Sequence, residues 1–145
     1  MQGYNVIAVF SPDKIKMLMC KRVKDPYKGL YNMVGGKIEQ GEDGFAAAYR
    51  ELFEESGITD ADIRLVHLMD FSYPLDDCYV EVYAGRLVHE VELREEKNPL
   101  LWLSADENYF DMSRFAGEGN IGHIMEHVKL HSDLIFGKGE CDERI

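Results

Sequence analysis

The spacing of apolar residues changes period several times along the chain, and each change predicts an element. Residues 4–10 and 15–22 are apolar runs separated by Ser11-Pro12-Asp13, and they read as strands joined by a turn. A polar loop at 23–29 leads into a short run at 30–34 that stops at Gly35-Gly36. From Gly44 to Ser56 the pattern turns helical and alanine-rich, with Asp43 placed to cap the start and Gly57 to stop it. Runs at 63–71 and 78–86 flank Tyr73-Pro74-Leu75-Asp76 and predict a hairpin. A further strand is expected at 100–103, a second helix at 120–130 and a polar tail at 137–145. No repeat, low-complexity tract or Pro/Gly/Ser-rich linker divides the sequence, so residues 1–136 are expected to fold as one domain. Strands interrupted by two helices in different settings predict an α/β fold, a mixed sheet with helices packed on its faces.

With 46% hydrophobic and 30% charged residues in a length of 145, the chain can bury a core and is neither disordered nor collagen-like. It holds no run of about 18 apolar residues, which excludes a helical membrane span. No basic segment or cleavage site accompanies the first strand, so a signal peptide is not expected. The net charge of −11 gives no electrostatic footprint for duplex nucleic acid or an anionic membrane surface. An anionic small molecule would need positive charge from elsewhere, and a divalent metal ion is the obvious carrier. Cys20, Cys78 and Cys141 are odd in number, far apart and without zinc spacing, which predicts free thiols in a reducing cytoplasm. The expected partner is a small molecule, bound by a monomer or homodimer.

Within the first helix, a turn of about 3.6 residues gathers Phe45, Tyr49, Leu52 and Phe53 on one side and Glu51, Glu54 and Glu55 on the other. The spacings 51/54 and 51/55 make the carboxylates neighbours, and such like charges destabilise an isolated helix by roughly a few tenths of a kcal/mol per pair. A solvated acidic face is the simplest account of such a group. Two features point to more. The acids lie toward the helix C-terminus, where the macrodipole disfavours negative charge, and a Gly-Gly turn carrying Lys37, Glu39 and Glu42 precedes the helix. Hard oxygen ligands in such a cluster suit Mg²⁺ or Mn²⁺, with a substrate phosphate completing the shell.

Gly36, Glu42 and the run Arg50-Glu51-Leu52-Phe53-Glu54-Glu55-Ser56-Gly57-Ile58 resemble the Nudix box, with every defining position filled. Residues 4–22, Gly35-Gly36-Lys37-Ile38-Glu39 and Trp102-Leu103 also resemble that family's first strands, its approach to the box and its late strand, so the resemblance runs over roughly residues 4–131. It implies the Nudix fold, an α/β/α sandwich around a mixed β-sheet, and a Mg²⁺-dependent pyrophosphohydrolase for which Mn²⁺ can substitute. Carried over position by position, Glu51, Glu54 and Glu55 match the metal-binding acids, and the Gly35 carbonyl matches an additional ligand. Arg50 matches the arginine that orients the acids by charge-assisted hydrogen bonds. Glu42 matches the earlier glutamate, which reaches the metal either directly or through Arg50. A carboxylate near the metal takes the proton of the attacking water, and Glu51 is the first choice, although the base varies between family members. The MutT branch places an acid just before the late-strand Trp; here that place is Leu101.

Three segments bear on the rest of the substrate. Lys21-Arg22 resembles the point where MutT-like members carry an arginine for a substrate phosphate; a solvated basic strand end is the other reading. Residues 31–36 resemble the segment lining the base pocket of members that sanitise purine triphosphates, where Asn32 would contact a purine. Residues 115–120 resemble the region that supplies an Asn or Asp to the base, a role open to Glu118 or Asn120, while Asn120 is also placed as a helix N-cap. Pro74 is similar to a mark of ADP-ribose hydrolases, but a proline in a hairpin turn needs no function. Tyr73 and Tyr79 offer rings for stacking, yet aromatics beside strands are more often core. The run His123-Ile124-Met125-Glu126-His127 fits a zinc-protease pattern that needs a carboxylate ligand well downstream, where only the tail follows; Ile124 and Val128 are expected to face the core instead. The stretch 90–97 reads as a solvated loop or strand edge. The resemblance thus favours a purine (deoxy)nucleoside triphosphate, 8-oxo-dGTP included, over ADP-ribose, nucleotide sugars or dinucleoside polyphosphates. A silent nucleotide- or protein-binding module is disfavoured, because no box acid is lost.

Overall fold

The computed structural model describes residues 1–137, so the expected tail lies outside the described residues apart from Gly137. Strands β1 (Gln2–Phe10), β2 (Lys16–Lys21), β3 (Tyr31–Asn32), β4 (Val66–Tyr73), β5 (Cys78–Arg86) and β6 (Leu100–Ser104) form one sheet. Its order is β3-β2-β1-β5-β4, with β6 also paired to β2. β1 and β5 run parallel from Gln2↔Cys78 to Phe10↔Arg86, and the remaining strand pairs are antiparallel. The sheet is therefore mixed, as expected.

The two-residue period of the central strands builds two cores. Ile7, Val9, Leu18, Cys20 and Tyr83 point to the face covered by helix α1 (Gly44–Ser56), through Ala48 and Leu52. Ala8, Phe10, Met17, Met19, Val82 and Ala84 point to the other face, covered by α2 (Asn120–Leu130) and α3 (Ser132–Phe136) through Ile121, Ile124, Met125, Val128 and Ile135. Both faces are thus buried, which makes the α/β/α sandwich. Among the described residues no helix is long and apolar enough to cross a membrane.

Helix α1 keeps its expected bounds: the Asp43 carboxylate accepts from Ala46 N–H at 3.2 Å, and Gly57, at φ 81°, ends the helix in the left-handed conformation. Its buried stripe differs from the expected one. Ala47, Ala48, Leu52 and Ser56 are buried, whereas Phe45 and Phe53 are exposed. Small residues let the helix lie close on the sheet, and the aromatic rings are left to flank it. Phe53 carries the Arg94 guanidinium 5.0 Å from its ring centre, and Phe45 meets Tyr83 edge-on at 5.0 Å.

Three other expectations are corrected. β4 starts at Val66 rather than 63: Ile63 and Leu65 are buried, but Ile63 makes only an isolated bridge to Leu87. The stretch 90–97 is not simply solvated, since Val91 and Leu93 pack on the α1 core and Arg94 N–H donates to the Ser56 carbonyl at the end of α1. Asn120 does not cap α2. Glu118 and Gly119 both take positive φ, Gly119 occupies the cap, and Asn120 becomes the first helical residue.

Candidate functional site

Segment 34–38 runs antiparallel beside the first half of β1. Asn5 N–H donates to the Gly36 carbonyl at 2.8 Å, Ile7 N–H to Val34 at 2.9 Å, and Ile38 N–H to Gly3 at 2.9 Å. The two glycines are thereby wedged between β1 and α1. Gly35 has φ 153°, and a Cβ there would strike the Asn5 carbonyl oxygen; a Cβ on Gly36 would strike the Glu51 carboxylate. Only bare backbone lets the turn meet the acids of α1.

Glu55 accepts a hydrogen bond from Gly35 N–H at 2.7 Å. Burial, reinforced by the Glu51 charge, pushes its carboxyl up to about 7 despite that bond. Burial also raises Glu51, outweighing the attraction of Arg50. Arg50 is the hub of the group. Its Nε and Nη2 grip Glu42 at 2.7 and 2.9 Å, Nη1 donates to Glu51 at 3.0 Å and to Glu54 at 3.2 Å, and Nη2 also reaches the Lys37 carbonyl at 3.0 Å. The fork holds Glu42 down at about 2 and keeps the guanidinium firmly charged. Glu42 is therefore committed to Arg50, which favours the indirect of its two expected routes to a metal.

Beside these acids lies a cavity of about 200 Å³ lined by Arg22, Asn32, Gly35, Gly36, Glu55, Asn5, Cys20 and Asn98, among others. Arg22 donates from Nε to the Pro26 carbonyl at 2.7 Å and borders that cavity. Tyr4, Val6, Asn32, Met33 and Val80 also line a second cavity of about 560 Å³, so the two adjoin. Glu118, Asn120, Tyr27, Phe71, Tyr73 and Asp76 add polar and aromatic lining to the larger one. Tyr27 donates to Glu118 at 2.8 Å, and Asn120 Nδ2 donates to the Tyr73 hydroxyl at 2.6 Å. Asn32 Oδ1 is engaged locally, accepting from Met33 N–H at 2.9 Å. Tyr79 lines a different cavity, with Gln2, Gly3 and Glu42, and does not approach this one.

Residues 1–128 match the NUDIX domain. The chain belongs to the NUDIX family. It is 28% identical over 138 residues to the NAD-capped RNA hydrolase NudC of Haemophilus influenzae, a match covering 94% of this chain and 50% of that protein. It is 29% identical over 108 residues to the oxidized purine nucleoside triphosphate hydrolase of Mus musculus, covering 72% of this chain and 67% of that one. Among solved structures, one from a study of MutT of Aliivibrio salmonicida and Vibrio cholerae matches with a TM-score of 0.68 at 21% identity, over 89% of this chain and 98% of the other. This NUDIX chain spans about half the length of the NudC proteins it matches.

NUDIX hydrolases generally use a divalent metal, and the donor set here suits one. Glu51, Glu54 and Glu55 present hard carboxylate oxygens beside the bare Gly35-Gly36 backbone, with Arg50 paired to the first two and Gly35 N–H donating to the third. Burial raises the carboxyls of both Glu51 and Glu55, a cost that a bound cation would offset. Sequence reasoning missed Asn5, Asn98 and Tyr27. Asn5 left one signal, a polar residue inside an apolar strand: it is 2% exposed, and its Oδ1 accepts from Gly36 N–H at 3.0 Å. Tyr27 and Asn98 lie in loops whose partners are far away in sequence, and no local pattern marks them.

Proposed function

We propose that this protein is a Mg²⁺-dependent pyrophosphohydrolase, with Mn²⁺ as a substitute, acting on a nucleoside diphosphate linked to another group. The favoured substrate is a purine (deoxy)nucleoside triphosphate, oxidised forms such as 8-oxo-dGTP included, cut to monophosphate and pyrophosphate. One observation carries this reading: a cavity of nucleoside size, with aromatic and hydrogen-bonding walls, adjoins the carboxylate group through shared lining residues. The likeness to an oxidized purine nucleoside triphosphate hydrolase of Mus musculus supports the purine triphosphate.

In this reading Glu51, Glu54, Glu55 and the Gly35 carbonyl hold the metal, and Arg50, steadied by Glu42, keeps the acids in place. The bound metal supplies neutralisation of the diphosphate and an activated water. Glu51 accepts the proton of the attacking water. Arg22 faces a substrate phosphate in the smaller cavity, while Asn32, Glu118 and Asn120 read the base and Tyr27 or Tyr73 covers its ring. The second reading is a dinucleotide or nucleotide-sugar substrate of the ADP-ribose or dinucleoside polyphosphate type, supported by the likeness to a hydrolase of NAD-capped RNA.

A panel of dGTP, 8-oxo-dGTP, ATP, ADP-ribose, NAD and a dinucleoside tetraphosphate, assayed with Mg²⁺, separates these readings. The highest kcat/KM is expected on a purine triphosphate, with pyrophosphate released and all turnover lost in EDTA. Release of two nucleotides from NAD as the dominant reaction establishes the second reading. Binding without cleavage of any member makes the domain a silent module.

A further inference from the structure

Away from the box, His67, Asp70 and Glu81 each offer a ligand atom, and all of these atoms lie within 4.8 Å of one another. We propose that they form a separate site for a divalent transition-metal ion of the zinc type. Residues three apart on a regular strand face opposite sides of a sheet. Here the register of β4 on β5 shifts between His67 and Met69, and that bulge turns His67 to the face of Asp70. Asp70 in turn pairs directly with Glu81 on β5. One hairpin thus delivers an imidazole and two carboxylates from rigid backbone.

A single side chain sets two of these groups. The Tyr83 ring, 1% exposed, stacks on His67 with centroids 4.6 Å apart and planes 22° apart, and its hydroxyl donates to Glu81 Oε1 at 2.7 Å. Outer contacts of this kind fix the orientation of metal ligands. Two carboxylates opposite each other across a strand pair repel, and among the described residues no Lys or Arg pairs with either. His67 Nε2 and Asp70 Oδ1 share a hydrogen bond of 2.6 Å, whose proton an ion would replace. The imidazole selects zinc-type ions over Mg²⁺ and Ca²⁺, and three protein ligands leave a coordination position open. A Cβ on Gly44, the first residue of α1, would strike Glu81, so the site lies against the start of that helix, about 15 Å along it from Glu54.

The test is Co²⁺ titration of the full chain in excess Mg²⁺, followed by visible absorption. The wild type should take up one Co²⁺ that Mg²⁺ does not displace, with bands of an imidazole-carboxylate site. His67→Gln and Glu81→Gln should weaken it at least about tenfold, and Tyr83→Phe, which keeps the ring, by about 10–100-fold. The double change Glu54→Gln and Glu55→Gln should leave it intact. Should either first variant misfold, Asp70→Asn, at an exposed position, replaces it. Equal uptake by wild type and His67→Gln overturns the proposal, and so does loss of uptake in the box double variant, which would place the ion in the box.

Discussion

Arg50 touches three carboxylates and a carbonyl, so the charge balance of the box rests on one guanidinium. Glu54 and Glu55 differ in setting, one exposed and one half-buried, yet each contributes negative charge to the same place. Glu54→Gln and Glu55→Gln are each expected to lower kcat by at least about a hundredfold, with the melting temperature of the metal-free protein unchanged or raised. Near-normal turnover of either variant at saturating Mg²⁺ would reject this helix face as the metal site. Glu55 also predicts a pH dependence. Its folded-state value of about 7 stands above the ordinary 4.5, so between those values the folded protein holds a proton that the unfolded chain has released. This group therefore makes the metal-free protein less stable as pH rises from about 4.5 to 7. Metal must expel that proton, so Mg²⁺ affinity should rise from pH 6 to 8 with proton release, and both effects should shrink in Glu55→Gln; calorimetry in buffers of different ionisation enthalpy reads them. The acids were legible in the sequence because helical spacing fixes their mutual distances. The Tyr27–Glu118 and Asn120–Tyr73 bonds were not, since each joins segments that only the completed fold brings together.

Among the elements, α1, β5 and α2 occupy their expected residues, because helix periodicity with clear stops, or an unbroken apolar run, is encoded locally. The Phe45 and Phe53 positions misled: a helix wheel weighs hydrophobicity, whereas close packing on the sheet rewarded the smaller Ala47 and Ala48. The Gly35-Gly36 wedge supplies the sharpest element-scale prediction, because the two glycines are needed for different reasons. Gly35→Ala should unfold the turn, losing about 1–3 kcal/mol or more of stability, since both its φ and its contact with β1 resist a side chain. Gly36→Ala should keep most of its stability but displace Glu51, lowering kcat at least about tenfold. Melting temperature and kcat measured together distinguish the two; equal losses in both variants would show the wedge to be a single structural unit.

At the scale of the whole molecule, the larger cavity is assembled from β1, β3, β4, β5, the loop before β3, and the approach to and first turns of α2, so its lining belongs to no single element. Removing the Asn120 amide or the Glu118 charge should therefore alter substrate ratios while sparing cleavage. Asn120→Ala and Glu118→Gln are expected to cut kcat/KM for purine triphosphates roughly five- to a hundredfold, equivalent to about 1–3 kcal/mol, and to flatten the preference over CTP. Asn120 is not the cap of α2, so its variant should lose little stability; unchanged ratios with a lowered melting temperature would limit it to the bond with Tyr73. The parallel pairing of β1 with β5 was the least legible feature, because alternation tells a strand which side to bury and nothing about which strand to join. That pairing has a consequence for synthesis. The central strand of the sheet leaves the ribosome well before its parallel neighbour, since each residue of β1 pairs with one 76 positions later (Gln2↔Cys78). Until then β1 is an apolar ribbon without that partner, open to pairing with another unpaired edge.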